Sequence, residues 1–279
     1  MISDSEGWVT RRRGLPSGSI AVPDPEFVGD GDLQAVQRAL YTHRGALASL
    51  PGSFSQGRTF GLMECGTADA ISRLEHAGLP ARILLHVKRL DADAVSSCLA
   101  TNGYRCDPAY DLLLGAAVHV RSRTRALTIR SLPNAWRVEL LTPSSDPALI
   151  RELQRLEVRC GLTPVPGWVL RGTDGLTRTL VLLDGERQVQ GGMSTLRIVH
   201  GDESLAMGFG LCIAEACAGR GLAQWLNAAA LTQAIDGGAS RAMEIVAPAG
   251  DASRRVNEAC GLELSSVECF LFAERISSV

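Results

Sequence analysis

Apolar positions along the chain fall into two blocks of alternating helix-like and strand-like segments, joined by an arginine-rich stretch. In the first block Leu33, Val36, Leu40 and Tyr41 recur at 3-to-4 spacing after Asp30, which predicts a helix to about His43. Pro51-Gly52-Ser53 breaks the chain. A second helix is predicted over Thr67 to His76, and Gly78-Leu79-Pro80 stops it before the apolar run Ile83 to Val87, a buried strand by length and composition. A helix from Asp93 closes at Asn102-Gly103, and Tyr110 to Val120 reads as further strand. Arg121 to Pro133 is the linker candidate, with a short strand as an option at Ala126 to Ile129. The residues before about 30 are rich in Gly, Pro, Ser and charge and read as a leader, in which Ile20-Ala21-Val22 could edge a sheet.

The second block restarts with a strand at Arg137 to Leu141 and a helix from Pro147 to about Val158. Asp146 is its expected N-cap, with Pro147 in the first helical position. A Pro/Gly-rich loop, Gly161 to Gly172, carries Trp168. A hairpin-like pair follows at Thr179 to Asp184 and Gln188 to Val199, then a strand at Leu205 to Ile213, a glycine turn and a helix to Ile235. Strand Ala242 to Val246, helix Asp251 to Ala259 and strand Leu264 to Phe272 complete the block.

The blocks look duplicated. Asp93–Gly103 lies over Asp251–Gly261 without a gap, matching Asp, Ala and Gly, and both segments stand between strands. Phe60-Gly61-Leu62 and Phe209-Gly210-Leu211 each precede a helix, and the second copy reaches its helix about six residues later, the extra residues supplying Gly219-Arg220-Gly221. Two domains are therefore expected, 1–125 and 134–279.

Composition narrows the function. The 279 residues suit two domain lengths, and 46% hydrophobic with 21% charged residues is ordinary folding composition. With 28 basic and 30 acidic residues the net charge is -2, so no global field draws the chain to nucleic acid or an anionic membrane, and neither is an expected partner. Lys88 is the one lysine; the arginine bias runs along the whole chain and reads as coding composition. The 8 cysteines form no C-x-x-C pair and have no His at finger-like spacing, so no metal is expected. No apolar run reaches the length of a membrane span, and Met1 to Arg13 is not followed by a signal-type apolar core, so the expected location is the cytoplasm.

The chemistry concentrates in Leu211 to Ala223, a strand, a glycine turn and a helix start. Free N–H groups and the positive end of the helix dipole suit a diphosphate that glycine lets approach the backbone; the plain alternative is glycines that merely turn the chain. There is no G-x-x-x-x-G-K-[ST], and the dinucleotide pattern would need glycine where Gln224 stands. Placed in the last third, after antiparallel-type strands and before helix, strand, helix and strand, the turn resembles the acyl-CoA signature of the GNAT superfamily of N-acyltransferases. The pattern R/Q-x-x-G-x-G/A lies over Ala218 to Ala223: Gly221 and Ala223 match, and Ala218 replaces the leading Arg or Gln. Met243-Glu244-Ile245 resembles the family's L-E-V strand, and Asn257 to Leu262 resembles Y-E-x-x-G-F. The resemblance covers about residues 137 to 273, and 60 to 115 more faintly.

The resemblance implies an α/β (α+β) fold: a GNAT-like mixed, mostly antiparallel twisted sheet flanked by helices, in two tandem copies, the first shortened and lacking the glycine turn. It also implies a sheet splayed between its fourth and fifth strands, with the pantetheine arm of acetyl-CoA in the gap and the thioester on main chain near Leu211, Cys212 and Ile213. The pyrophosphate then sits on Ala218, Gly219, Arg220, Gly221, Leu222 and Ala223, with Arg220, Arg254 and Arg255 as outer contacts. A primary amine of a small molecule or peptide attacks directly in a ternary complex. A Lys-like amine with a pKa of about 10.4 needs a base at neutral pH, and Glu244 is the candidate; the alternative is an outward-facing or salt-bridged strand residue. Asn257 occupies the position of the family's tyrosine, which protonates the leaving thiolate. Asparagine cannot serve as that proton donor, so water or Cys260 does, or the chain is an acyl-CoA-binding regulator. Trp168 either lines the acceptor pocket or packs in the core. Leu222, Trp225, Leu226 and Ala229 share a core face, and His86, aligned with Glu244, reads as a satisfied buried histidine. With no nearby His, Cys212 and Cys217 do not read as nucleophiles. The expected assembly is a monomer or homodimer.

Overall fold

The computed structural model describes residues 26–48, 50, 52–63 and 81–276. The leader strand at Ile20-Ala21-Val22 and the helix over Thr67 to His76 lie outside the described residues. The first block forms α1 (Gly31–Ala48), β1 (Ser53–Ser55), β2 (Phe60–Leu62), β3 (Arg82–Lys88), α2 (Ala92–Thr101), β4 (Tyr104–Cys106), β5 (Tyr110–Ala116) and α3 (Ala117–Thr128). The second forms β6 (Arg137–Leu140), α4 (Pro147–Arg159), α5 (Gly167–Leu170), β7 (Thr177–Leu183), β8 (Val189–His200), β9 (Glu203–Ile213), α6 (Leu222–Asp236), β10 (Arg241–Val246), α7 (Asp251–Ala259) and β11 (Glu263–Arg275).

Local chemistry accounts for several boundaries. Asp146 Oδ1 accepts the Ala148 N–H at 2.8 Å with Pro147 in the first turn, so α4 starts where its cap predicts. One stretch departs from expectation. The strand predicted to Val120 ends at Ala116, and the linker candidate is largely α3. Val118 and Val120 look strand-like, but Val120 and Thr124 are buried at helical spacing against α6, where Thr232 Oγ1 donates to Thr124 Oγ1 at 2.7 Å. Arg121 pairs with Asp236 at 3.0 Å on the same helix. Packing decides the structure of this segment where local preference does not.

Among the described residues the strands form one sheet in the order β1-β2-β3-β11-β5-β10-β9-β8-β7-β6, with β4 added on β11. It is mostly antiparallel. The two parallel pairs, β2 with β3 and β9 with β10, fall at corresponding places in the two blocks. The closing strands are exchanged: β5 of the first block runs antiparallel to β10 of the second, and β11 of the second pairs along β3 of the first from Glu268↔Lys88 to Glu274↔Arg82. Among the described residues neither block completes its sheet from its own strands.

Side chains alternate between the two faces. On one face Leu205, Met207, Phe209 and Met243 pack under Ile150 and Leu153 of α4 and the α5 segment. On the other, Leu113, Ala242 and Val246 pack with Val120 of α3, Leu231 of α6 and Cys260 after α7. The α4 face and the α6 face thus sandwich the strands that frame the candidate site.

Candidate functional site

The β9–β10 ladder runs from Arg241↔Leu205 to Glu244↔Gly208 and stops there. Beyond it β10 follows β5 to Val246↔Asp111, while β9 stays with β8. A register shift lies in β9 between Phe209 and Cys212, with Gly210 at φ 72°, and such a bulge bends a strand out of its ladder. The sheet therefore splays just past Glu244 and Gly208. The free edge of Leu211, Cys212 and Ile213 borders that gap: Cys212 and Ile213 pair with β8 on their other edge, and Leu211 lies in the bulge. The Leu211 and Ile213 side chains turn to the α6 face, and Cys212 is buried on the α4 face. In the first block the aligned glycine, Gly61, is covered by the Phe54 ring, whereas Gly210 has Glu157 Oε1 3.3 Å from where a Cβ would stand. Equivalent backbone positions thus carry an aromatic plug in one block and a carboxylate in the other.

From Ile213 the chain makes one 3-10 turn, Glu215–Cys217, and enters α6 through Ala218, Gly219, Arg220 and Gly221. Gly221 is the N-cap at φ 75°, and among the described residues no side chain caps the helix. The first helical bond runs from Trp225 N–H to Gly221 O at 3.0 Å. The amides of Gly219, Arg220, Gly221, Leu222, Ala223 and Gln224 find no acceptor among the described residues. Six donors at the positive end of a 15-residue helix make a cradle suited to an anion, and a Cβ built at Gly219 meets nothing within 4 Å.

The cations around this cradle differ from expectation in part. Arg220 and Arg255 are exposed. Arg254 instead bonds Asp111, which also holds Arg89 at 3.0 Å. Arg130, assigned to a linker by its sequence, has Nη1 3.9 Å from where a Gly221 Cβ would stand, and its carbonyl accepts Trp225 Nε1–H at 2.9 Å.

Glu244 is 5% exposed at the closed end of the gap, on the α6 face. Its carboxylate lies over Gly208, where any Cβ would collide with it. Asn227 of α6 and Asn257 of α7 face it: Asn227 Nδ2 donates to Asn257 Oδ1 at 2.8 Å, while Glu244 Oε1 and Asn257 Nδ2 find no partner among the described residues. Burial pushes the Glu244 carboxyl up to about 7 against the opposing pull of the two amides. Burial also pushes the neighbouring Cys260 thiol up to about 12, with Glu244 adding to the shift, which makes it a poor proton donor to a thiolate. The Cys212 thiol is likewise pushed far up by burial, which argues against a nucleophile.

A second buried acid was not singled out from the sequence. Glu157, in the last turn of α4, is 1% exposed on the opposite face of β9 from Glu244. Its Oε2 accepts the Val165 N–H at 2.9 Å, and burial pushes its carboxyl up to about 7 against the pull of Arg58 and that N–H. Arg58, on the β1–β2 loop, donates to Thr163 O, and Gly57 packs on Pro166 and Val169. The signal was in the sequence: Glu157 lies seven residues after Ile150 and four after Leu153, on the buried stripe of α4.

The two raised carboxyls make stability fall with pH. Between the ordinary carboxylate range and about 7 the folded state binds more protons than the unfolded one, so each group lowers stability as pH rises, by up to about 1.4 kcal/mol per unit. Urea midpoints should therefore fall between pH 5.5 and 7.5, and Glu244→Gln or Glu157→Gln should each flatten part of that slope. A slope unchanged in both variants contradicts the burial argument.

Trp168 is buried in the core, edge-on to Tyr41 at 5.3 Å, and stands apart from the glycine turn. His86 is buried against Phe270, with Nε2 3.8 Å from Glu268. Leu222 and Leu226 are core residues, with Trp225 and Ala229 packed against them. Among the described residues no group of three or more His, Cys, Asp or Glu could hold a metal, and no helix is long and apolar enough to cross a membrane.

No family model and no curated protein matches the sequence. Solved structures do match the fold. A GCN5-related N-acetyltransferase from Kribbella flavida aligns over 86% of this chain and 95% of its own, at 11% identity and TM-score 0.50. A tandem GNAT protein from the clavulanic acid biosynthesis pathway aligns over 86% and 89%, at 13% identity and TM-score 0.53. A Drosophila protein aligns over 88% and 90%, at 12% identity and TM-score 0.54. The fold is the GNAT fold, and one of its neighbours is a tandem GNAT.

Proposed function

From this fold, we propose that the chain is an N-acyltransferase that takes acetyl-CoA on the glycine turn of the second block and passes the acetyl group to a primary amine of a small molecule or peptide. The observation that carries the reading is the row of uncommitted amides from Gly219 to Gln224 at the head of α6, beside the gap between β9 and β10. Those amides and the helix dipole hold a diphosphate, with the guanidinium groups of Arg130 and Arg220 outside it. The edge of Leu211 to Ile213 offers main chain to a thioester in the gap. Glu244 and Asn257 border its inner end, where a proton has to change hands. The loop from Gln56 to Thr59 walls the α4 face, giving the first block a structural part in the acceptor site. A net charge of -2 favours a small acceptor over a strongly charged polymer.

Calorimetry with acetyl-CoA, run beside thiol release with a panel of primary amines, tests the reading. Binding together with release for at least one amine is the expected result. Glu244→Gln should lower turnover by about 100-fold near neutral pH with acetyl-CoA affinity unchanged; undiminished turnover removes Glu244 from the chemistry. A second reading, an acyl-CoA sensor, is favoured by Asn257 standing where a tyrosine proton donor is expected. Binding without release across the panel would select it.

A further inference from the structure

Two buried carboxylates flank β9 from opposite faces, Glu244 over Gly208 and Glu157 beside Gly210. Two positions along a strand span about 7 Å, and the gap between β9 and β10 opens between these two levels. On the acyl-transfer reading, an arm held at the glycine turn and threaded through this gap passes between Glu244 and Asn257 on the α6 face and Glu157 on the α4 face.

Resting on the acyl-transfer reading, we infer that Glu157 is the base for the acceptor amine and Glu244 the acid for the leaving sulfur. The neutral amine nitrogen attacks the thioester carbon, the C–N bond forms and the C–S bond breaks. The nitrogen's proton passes to the Glu157 carboxylate, and the thiolate takes a proton from the Glu244 carboxylic acid. Exchange with water then restores both groups. Glu244 thereby fills the part that Asn257 lacks the chemistry to perform.

Each carboxyl has surroundings suited to its task. Around Glu157, the Val165 N–H occupies Oε2, Oε1 faces the bulge at Gly210, Arg58 supplies positive charge from the first block, and the Cys212 thiol, itself near Cys160 and Arg159, is a further titratable neighbour. Around Glu244 stand Asn227, Asn257 and the Cys260 thiol: the two amides pull its carboxyl down against burial, and among the described residues no cation adds to that pull. Arg58 is a positioning residue that keeps Glu157 available as the carboxylate.

The test follows thiol release from acetyl-CoA across pH, with 2,2,2-trifluoroethylamine as an acceptor too weakly basic to add its own rising limb, and with alkyl amines for comparison. Glu157→Gln keeps an oxygen for the Val165 N–H, so it should melt cooperatively with unchanged acetyl-CoA affinity, its midpoint departing from the parent only by the pH slope that the Glu157 carboxyl contributes. Its kcat should fall at least about 100-fold and the rising limb of its pH profile should vanish. Arg58→Gln should move the rising limb to higher pH, and Glu244→Gln should remove the falling limb instead. A Glu157→Gln variant that keeps the rising limb overturns the inference, whether or not its rate falls, because a loop anchor alone would behave that way. Acetyl-CoA bound by the parent but never turned over with any amine overturns it too, leaving the cofactor site standing; no acetyl-CoA binding overturns the proposed function itself.

Discussion

Gly221→Asp is expected to weaken acetyl-CoA binding by at least about 100-fold, or about 2.7 kcal/mol, measured by calorimetry. Gly221 holds φ 75° at the start of α6, with its amide in the open cradle. A carboxylate there stands within a few ångström of any diphosphate on those amides, and two like charges 4 Å apart near a protein surface repel by about 4 kcal/mol. Gly221→Ala separates charge from backbone strain: a left-handed non-glycine residue costs about 1–2 kcal/mol, so alanine should weaken binding far less than aspartate. Equal affinity for parent and Gly221→Asp would remove the diphosphate from this turn.

Separating the blocks is expected to abolish folding. Residues 134–279 alone lack β5, which pairs with β10 over six residues from Arg241↔Ala116 to Val246↔Asp111 and brings the fully buried Leu112 and Leu113. Cutting one buried leucine back to alanine costs about 2–5 kcal/mol, so losing the whole strand approaches the 5–15 kcal/mol that holds a typical domain together. The exposed edge of β10 would also invite aggregation. The fragment 134–279 should be insoluble or lack a cooperative melt, and co-expression with 1–133 should restore a soluble complex. A cooperatively folded, monomeric 134–279 fragment would contradict the exchange of closing strands.

Most of the second block was legible because its periods were clean: α7 has its predicted bounds, Asp251–Ala259, and α4 starts at its cap. Periodicity says which face of a strand is apolar and nothing about its neighbour, so the crossing of β5 and β11 between blocks was hidden. The same limit hid α3, whose valines favour a strand locally and whose burial depends on α6. Within the site, the glycine turn could be read because backbone amides need no particular side chain. Arg130 could not, because it is one arginine among many and only the return of the chain past Trp225 brings it to Gly221. Glu244 was found from a strand resemblance, but the face it occupies follows from the parity of β10 against α6 and α7.

The most direct measurement is a crystal of the full chain soaked with acetyl-CoA. The account predicts diphosphate oxygens on the amides between Gly219 and Gln224, the arm passing between β9 and β10, and the sulfur beside Glu244 and Asn257. Acetyl-CoA bound in the first block, or a gap between β9 and β10 left empty with the ligand elsewhere, would contradict it.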